Sequence, residues 1–230
     1  MTKEHIFDKN TKTVSRKYLT LNNLSAKEWV KRTKSVWIES SMLKNFTTIE
    51  KAMETGIIAS FPKKRDPLKR LHPATFAEED IEKLIEFFTK EGDIILDPFL
   101  GSGSITLACI KTNRKCIGIE LYPEWVKIAK QRLGMFNQNC EIYQGDALDI
   151  LPKLPTHSID FVIISPPYWG ILSKEDHKTK QERLSKNLKK DYGNNEKDLS
   201  LIKDFNVFLA KLKDIFIETY RVLKQKNIFV

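Results

Sequence analysis

Apolar residues recur along this chain at two alternating periods. From Asp80 to Thr89 (DIEKLIEFFT) they fall at helical spacing and predict a helix entered near Thr75 or Ala77. Asp93 to Asp97 (DIILD) is a short apolar run that predicts a strand, followed by a glycine-rich turn and a helix from Ile105 to Lys111. The alternation repeats with a strand at Cys116 to Glu120, a helix at Glu124 to Arg132, and strands at 140–143 (CEIY) and 160–165 (DFVIIS). The last run is fully apolar, as expected of a strand buried on both faces. Residues 205–223 predict a long amphipathic helix, and Asn227 to Val230 the start of another strand. Strands alternating with helices predict α/β architecture, a doubly wound Rossmann-like parallel sheet with helices on both faces. Between Ile171 and Ser200 the polar composition predicts a long mobile loop.

Composition changes the picture mainly through charge. The 230 residues carry a formal net charge of +9. Residues 1–71 hold 16 Lys+Arg against 7 Asp+Glu, whereas residues 72–230 hold 23 of each. The chain therefore divides into a basic leading segment, 1–71, and a neutral catalytic domain, 72–230. In the leading segment Lys31-Arg32, Lys34, Lys63-Lys64-Arg65 and Lys69-Arg70 are interleaved with Trp29, Trp37, Phe46 and Phe61. Such a mixture suits phosphate contacts beside stacking surfaces, and equally a solvated helix face over a small core. No apolar run is long enough to span a bilayer and the start has no signal-like apolar stretch, so a cytoplasmic protein without membrane association is expected. Cys109, Cys116 and Cys140 lack C-x-x-C spacing and are expected to be reduced packing residues, with no metal site.

Candidate chemistry begins at Asp97-Pro98-Phe99-Leu100-Gly101-Ser102-Gly103, between a strand and a helix, where an α/β sheet places its ligand crevice. Glycines there let the backbone turn sharply and approach a ligand. Glu120 closes the next strand, placed to accept hydrogen bonds from both hydroxyls of a ribose. Asp146, in Gly145-Asp146-Ala147, follows the third strand and can read an adenine amino group. One nucleoside-shaped ligand can touch all three acids. A dinucleotide fingerprint fails because Thr106 stands at its third glycine position, and no G-K-[ST] of a phosphate-binding loop follows.

The second constellation, Ser165-Pro166-Pro167-Tyr168, ends the most apolar strand. Two prolines lock two φ angles and remove two N–H donors, leaving a stiff edge of hydroxyl and carbonyl acceptors. That edge suits a planar amine such as the exocyclic NH₂ of cytosine or adenine, whose lone pair is delocalised into the ring. Acceptors holding both N–H groups favour a more tetrahedral nitrogen and free the lone pair for attack on an electrophilic methyl. Tyr168 can stack on a base taken out of its helix.

On these residues the chain resembles the S-adenosylmethionine-dependent DNA amino-methyltransferases acting on cytosine N4 or adenine N6. The resemblance covers about residues 72–230, through Asp97 to Gly103, Glu120, Gly145 to Ala147, Ser165 to Tyr168 and Tyr220 to Lys224, with the cofactor motif preceding the catalytic one. His72-Pro73-Ala74-Thr75-Phe76 is similar to the family segment that touches the methionine end of the cofactor. The resemblance implies that Thr75, Asp97, Phe99, Gly101, Ser102 and Gly103 line the methionine and sulfonium region. It assigns Glu120 to the ribose, and Asp146 and Ala147 to the adenine. Ser165, Pro166, Pro167 and Tyr168 would hold the target base. The serine form of the motif goes mostly with cytosine N4, the aspartate form mostly with adenine N6. Methylation at cytosine C5 needs a cysteine nucleophile usually following a proline, and no cysteine here follows one.

The family sheet has seven strands, of which five are legible, so the sheet is expected to end early. Either the chain is a piece of a longer enzyme, or a homo-oligomer or partner chain completes the sheet, or the leading segment does. Residues 174–190 hold seven Lys+Arg against three acids and can close over DNA phosphates or form a solvated lid. A non-catalytic nucleic-acid-binding or partner-binding subunit of the same fold is the alternative of another class.

Overall fold

The computed structural model describes residues 21–25, 27–29, 37–39, 58–60, 67–72, 77–170 and 192–229. In the leading segment β1 (Trp37–Glu39) and β2 (Ile58–Ser60) pair in parallel, and α1 (Pro67–Leu71) follows. The main sheet has five strands, β3 (Ile94–Asp97), β4 (Lys115–Glu120), β5 (Cys140–Gln144), β6 (Ile159–Val162) and β7 (Leu223–Phe229). All neighbours are parallel and the order is β5-β4-β3-β6-β7. The chain thus runs outward from β3 to β5, then returns to place β6 on the other flank of β3. The crevice at that reversal, outside the carboxyl ends of the strands, is where a sheet of this kind takes its ligand.

Alternation along the strands divides the core into two layers. Ile95, Cys116 and Phe161 pack with Ile81, Ile85, Ile105 and Ala108. These last four belong to α2 (Glu78–Phe88) and α3 (Ser104–Lys111). Leu96, Ile119 and Val162 face the other way, onto α5 (Ala147–Ile150) and α6 (Phe205–Val222), through Ile150, Phe208, Ile215 and Val222. Successive strand residues therefore serve opposite layers, which is why the strands read as continuous apolar runs. On β4, α4 (Pro123–Leu133) begins three residues after Glu120, with Pro123 at its first position.

Three boundaries differ from expectation. The last apolar strand stops pairing at Val162 rather than Ser165. Ile163 N–H donates to Leu96 C=O (3.1 Å), and beyond it the prolines remove the donors a ladder needs. Strand β7 begins at Leu223, directly from α6, and its register against β6 is interrupted between Ile159 and Phe161. Residues 192–200, expected within a long mobile loop, are anchored on α4 and continue into a 3₁₀ turn at Leu199–Leu201; residues 171–191 of that expected loop lie outside the described residues.

Two of the cysteines are bonded to each other, contrary to the expectation of three reduced thiols. The register makes Cys116 and Cys140 direct neighbours across β4 and β5, and the structure joins them in a disulfide, Cα–Cα 4.5 Å. Only Cys109 remains a free, buried thiol, and burial pushes its pKa up.

Described pieces of the leading segment touch α2: the Trp29 ring stacks on Phe87 at 4.6 Å, and Asn22 donates to Phe87 C=O. No helix among the described residues is long and apolar enough to cross a membrane.

Arg114, 4% exposed, ties two helix ends together. Its guanidinium donates to Thr89 C=O (2.9 Å), Thr89 Oγ1 (3.1 Å) and Thr112 C=O, satisfying carbonyls at the C-terminal caps of α2 and α3. Arg114→Met should therefore lower unfolding free energy by about 2–4 kcal/mol. Urea denaturation with an unchanged midpoint would show that the helix ends do not depend on it.

Candidate functional site

A cavity of about 190 Å³ opens at the carboxyl ends of β3, β4 and β6. Of the residues predicted for the cofactor, Asp97, Phe99, Gly101, Ser102, Glu120, Asp146 and Ala147 line it, and so do Ser165, Pro167 and Tyr168 of the catalytic motif. Two motifs more than sixty residues apart in sequence thus meet in one pocket. Gly103 is the N-cap of α3 and Pro166 sits half-buried in the strand exit; neither is on the cavity wall. Thr75 lies outside the described residues.

Each acid is positioned by backbone donors. Asp97 ends β3, and its carboxylate accepts Phe99 N–H at 2.9 Å. Glu120 ends β4 and accepts Gly101 N–H at 2.7 Å and Tyr122 N–H at 2.9 Å. Asp146 is the N-cap of α5 and accepts Leu148 N–H at 3.0 Å. Gly101 has φ +55°, and a Cβ there would sit 3.0 Å from His72 Nε2, so the turn passes beneath the imidazole only without a side chain. His72 in turn meets Trp125 edge-on at 4.7 Å.

The electrostatics are unusual for two carboxyls so close to a turn. Asp97 is 3% exposed and Glu120 8%. Among the described residues neither has a Lys or Arg partner. Burial pushes Asp97 up to about 7, with the nearby Glu120 charge adding to the rise and Phe99 N–H opposing it. Burial likewise pushes Glu120 up to about 7 against the Tyr122 and Gly101 donors, with Asp198 contributing repulsion. Lys197 stands on the cavity wall, paired with Asp149 at 2.7 Å, and two further cations lie one layer away. Lys69 and Arg132 both pair with Glu78, and although burial opposes it they hold that carboxyl down at about 2. Arg132 also donates to Ser102 C=O, bracing the glycine turn from below.

Wall residues that sequence reasoning did not nominate include Tyr122, Tyr192, Lys197, Asp198 and Leu199. Tyr122 Oη–H donates to Asp198 at 2.8 Å and accepts Asn195 N–H at 3.1 Å. Trp125 Nε1–H donates to Tyr192 C=O at 3.0 Å. Gly193, φ +154°, lies so close that a Cβ would stand 2.2 Å from the Tyr122 ring. Among the described residues no cluster of His, Cys, Asp and Glu can hold a metal ion.

Comparison with known proteins places this geometry. A family model described as DNA methylase, of the N6/N4 methyltransferases, matches residues 1–131, more than half of the chain. The chain belongs to that family. A general methyltransferase-domain model also matches residues 95–191. The type II methyltransferase M.XycI of Xanthomonas campestris pv. cyanopsidis is 45% identical over 73 residues, 32% of this chain and 24% of that protein. The type II methyltransferase M.Cfr9I of Citrobacter freundii is 48% identical over 67 residues, 29% of this chain and 22% of that protein. The matched region therefore spans about a quarter of the length of these relatives. A solved structure titled as the M1.HpyAVI–SAM complex is 38% identical over 34% of this chain and 38% of that one, at a TM-score of 0.31.

S-adenosylmethionine is the cofactor of such a methylase, and the residues present fit it. The group is cationic at sulfur and ammonium, and its ribose presents two hydroxyl donors. Buried carboxyls with no Lys or Arg partner among the described residues suit both features. The pH dependence follows. Free Asp97 and Glu120 are largely protonated below about 7. A cationic, hydroxyl-bearing ligand favours their ionised forms, so binding expels protons and affinity rises as pH climbs toward 7 and then levels. The dissociation constant should be about tenfold larger at pH 6 than at pH 8 for each group so linked. By the same linkage the ligand-free fold is stabilised by these groups at acidic pH, and loses that contribution as pH rises from the ordinary carboxylate range through 7. Calorimetry in two buffers of different ionisation enthalpy would show proton release; a heat independent of buffer and a flat affinity profile would exclude the linkage.

Proposed function

We propose that the chain transfers the methyl group of S-adenosylmethionine to the exocyclic amine of a base flipped out of DNA, cytosine N4 in particular. The observation that carries this reading is the shared cavity: Ser165, Pro167 and Tyr168 face the same space as Asp97, Glu120 and Asp146. Bound there, the cofactor supplies an electrophilic methyl on a sulfonium centre. Asp97 and the turn at Gly101 hold its methionine end, Glu120 its ribose, and Asp146 its adenine.

At the other end, the acceptors of the Ser165-Pro166-Pro167 edge bind both N–H groups of the target amine and free its lone pair. Tyr168 is 54% exposed and stacks on the extruded base. The new N–C bond forms as the S–C bond breaks, and one amine proton leaves along the acceptor edge to solvent. No nucleophilic side chain is needed, in keeping with a buried Cys109 whose thiol is held protonated. Positioning the amine against these acceptors supplies much of the acceleration. Ser165 at the head of the motif favours cytosine N4 over adenine N6. The basic leading segment, 1–71, supplies phosphate contacts, and DNA is the partner.

Mass spectrometry of nucleosides from DNA incubated with the protein and S-adenosylmethionine decides the reaction. N4-methylcytosine is expected; N6-methyladenine would reassign the base, and no methylated nucleoside from a cofactor-binding preparation would favour a non-catalytic subunit. Tyr168→Ala should keep cofactor binding and lower kcat about a hundredfold. Asp97→Ala should weaken cofactor binding by about ten- to a hundredfold. The opposite pattern would show these two roles to be exchanged.

A further inference from the structure

Residues 192–202 touch both halves of the site, and the chemistry above assigns them nothing. At the cofactor end, Tyr122 carries two bonds at once: its N–H holds Glu120 and its hydroxyl holds Asp198, itself 4% exposed. Asp198 accepts Ser200 N–H at 2.8 Å, so the carboxylate fastens its own turn to Tyr122. Gly193 and the Tyr192 carbonyl lie against Tyr122 and Trp125, and Leu199 is seated in the core with Ile215. At the target end, Ile202 C=O accepts the Trp169 indole N–H at 2.8 Å, and the Trp169 ring lies 5.0 Å from Phe205 at the start of α6. Trp169 follows Tyr168 directly but is not on the cavity wall.

We propose that residues 192–202 form a strap that sets the spacing between the ribose-holding end and the target-amine edge, with Tyr122, Asp198 and Trp169 as its positioning residues. What each end holds rests on the methyl-transfer reading; the strap itself is read from the contacts. A strap fastened at two ends must couple them. Releasing either end loosens the same segment, so the second release costs little more than the first.

The test compares the wild type with Tyr122→Phe, Trp169→Phe and the double variant, each of which keeps an aromatic ring in place. S-adenosylmethionine binding is measured by calorimetry, and amide hydrogen exchange is followed at Asn195 and Ser200. Each single variant is expected to weaken binding about five- to tenfold, and the double variant no more than about the stronger single. Trp169→Phe should also speed exchange at Asn195 and Ser200, although its own bond is to Ile202. In turnover, Trp169→Phe should lower kcat and raise the cofactor KM together. Asp198→Ala, which removes the acceptor of the Tyr122 hydroxyl, should show the same non-additivity with Trp169→Phe. Additive losses, with exchange at Asn195 and Ser200 untouched by Trp169→Phe, would overturn the strap. A wild type that binds no cofactor would remove the methyl-transfer reading, and the exchange measurement would still decide the strap.

Discussion

Two carboxyl groups stand buried at the carboxyl ends of β3 and β4, held by backbone N–H groups and without a Lys or Arg partner among the described residues. Desolvating a carboxylate costs several kcal/mol unless something compensates, and here the compensation inside the described fold is partial. Much of the surrounding structure serves to hold them there. Alternating strand residues seal the sheet on both faces, Gly101 turns its N–H toward Glu120, and Tyr122 closes the other side of the same carboxylate. On the proposed reading, a cationic ligand with two vicinal hydroxyls would complete what the fold leaves unfinished, making the cofactor part of the site's electrostatics.

Described cations around this cleft are paired with acids other than Asp97 and Glu120: Lys197, on its wall, holds Asp149. Glu78 takes up Lys69 and Arg132, and Arg132 reaches the glycine turn only through the Ser102 carbonyl. A cation at Asp97 itself would neutralise the acid proposed to hold the cofactor. The turn is therefore braced from beneath without weakening its attraction for a sulfonium or an ammonium group.

Local patterns made much of this readable. Strand and helix positions followed from apolar periods, and Asp97, Glu120 and Asp146 from their places at strand ends, because such signals are carried by a few adjacent residues. What escaped depends on register and on distant segments. Cys116 and Cys140 are 24 residues apart and become neighbours only once β4 and β5 pair. Asp198 and Gly193 sit in a polar stretch with no period, and their meaning comes from the Tyr122 ring more than seventy residues earlier. The early end of β6 was available in principle, since Pro166 and Pro167 cannot donate to a ladder, but the apolar run reads through it.

The most direct test is a carbon-13 NMR titration of the Asp97 and Glu120 side-chain carboxyls, free and saturated with S-adenosylmethionine. In the free protein both should titrate near 7, and on binding both should remain ionised well below that value. Titration of the free protein in the ordinary carboxylate range, or midpoints unmoved by the cofactor, would contradict a site built around two acids awaiting a cation.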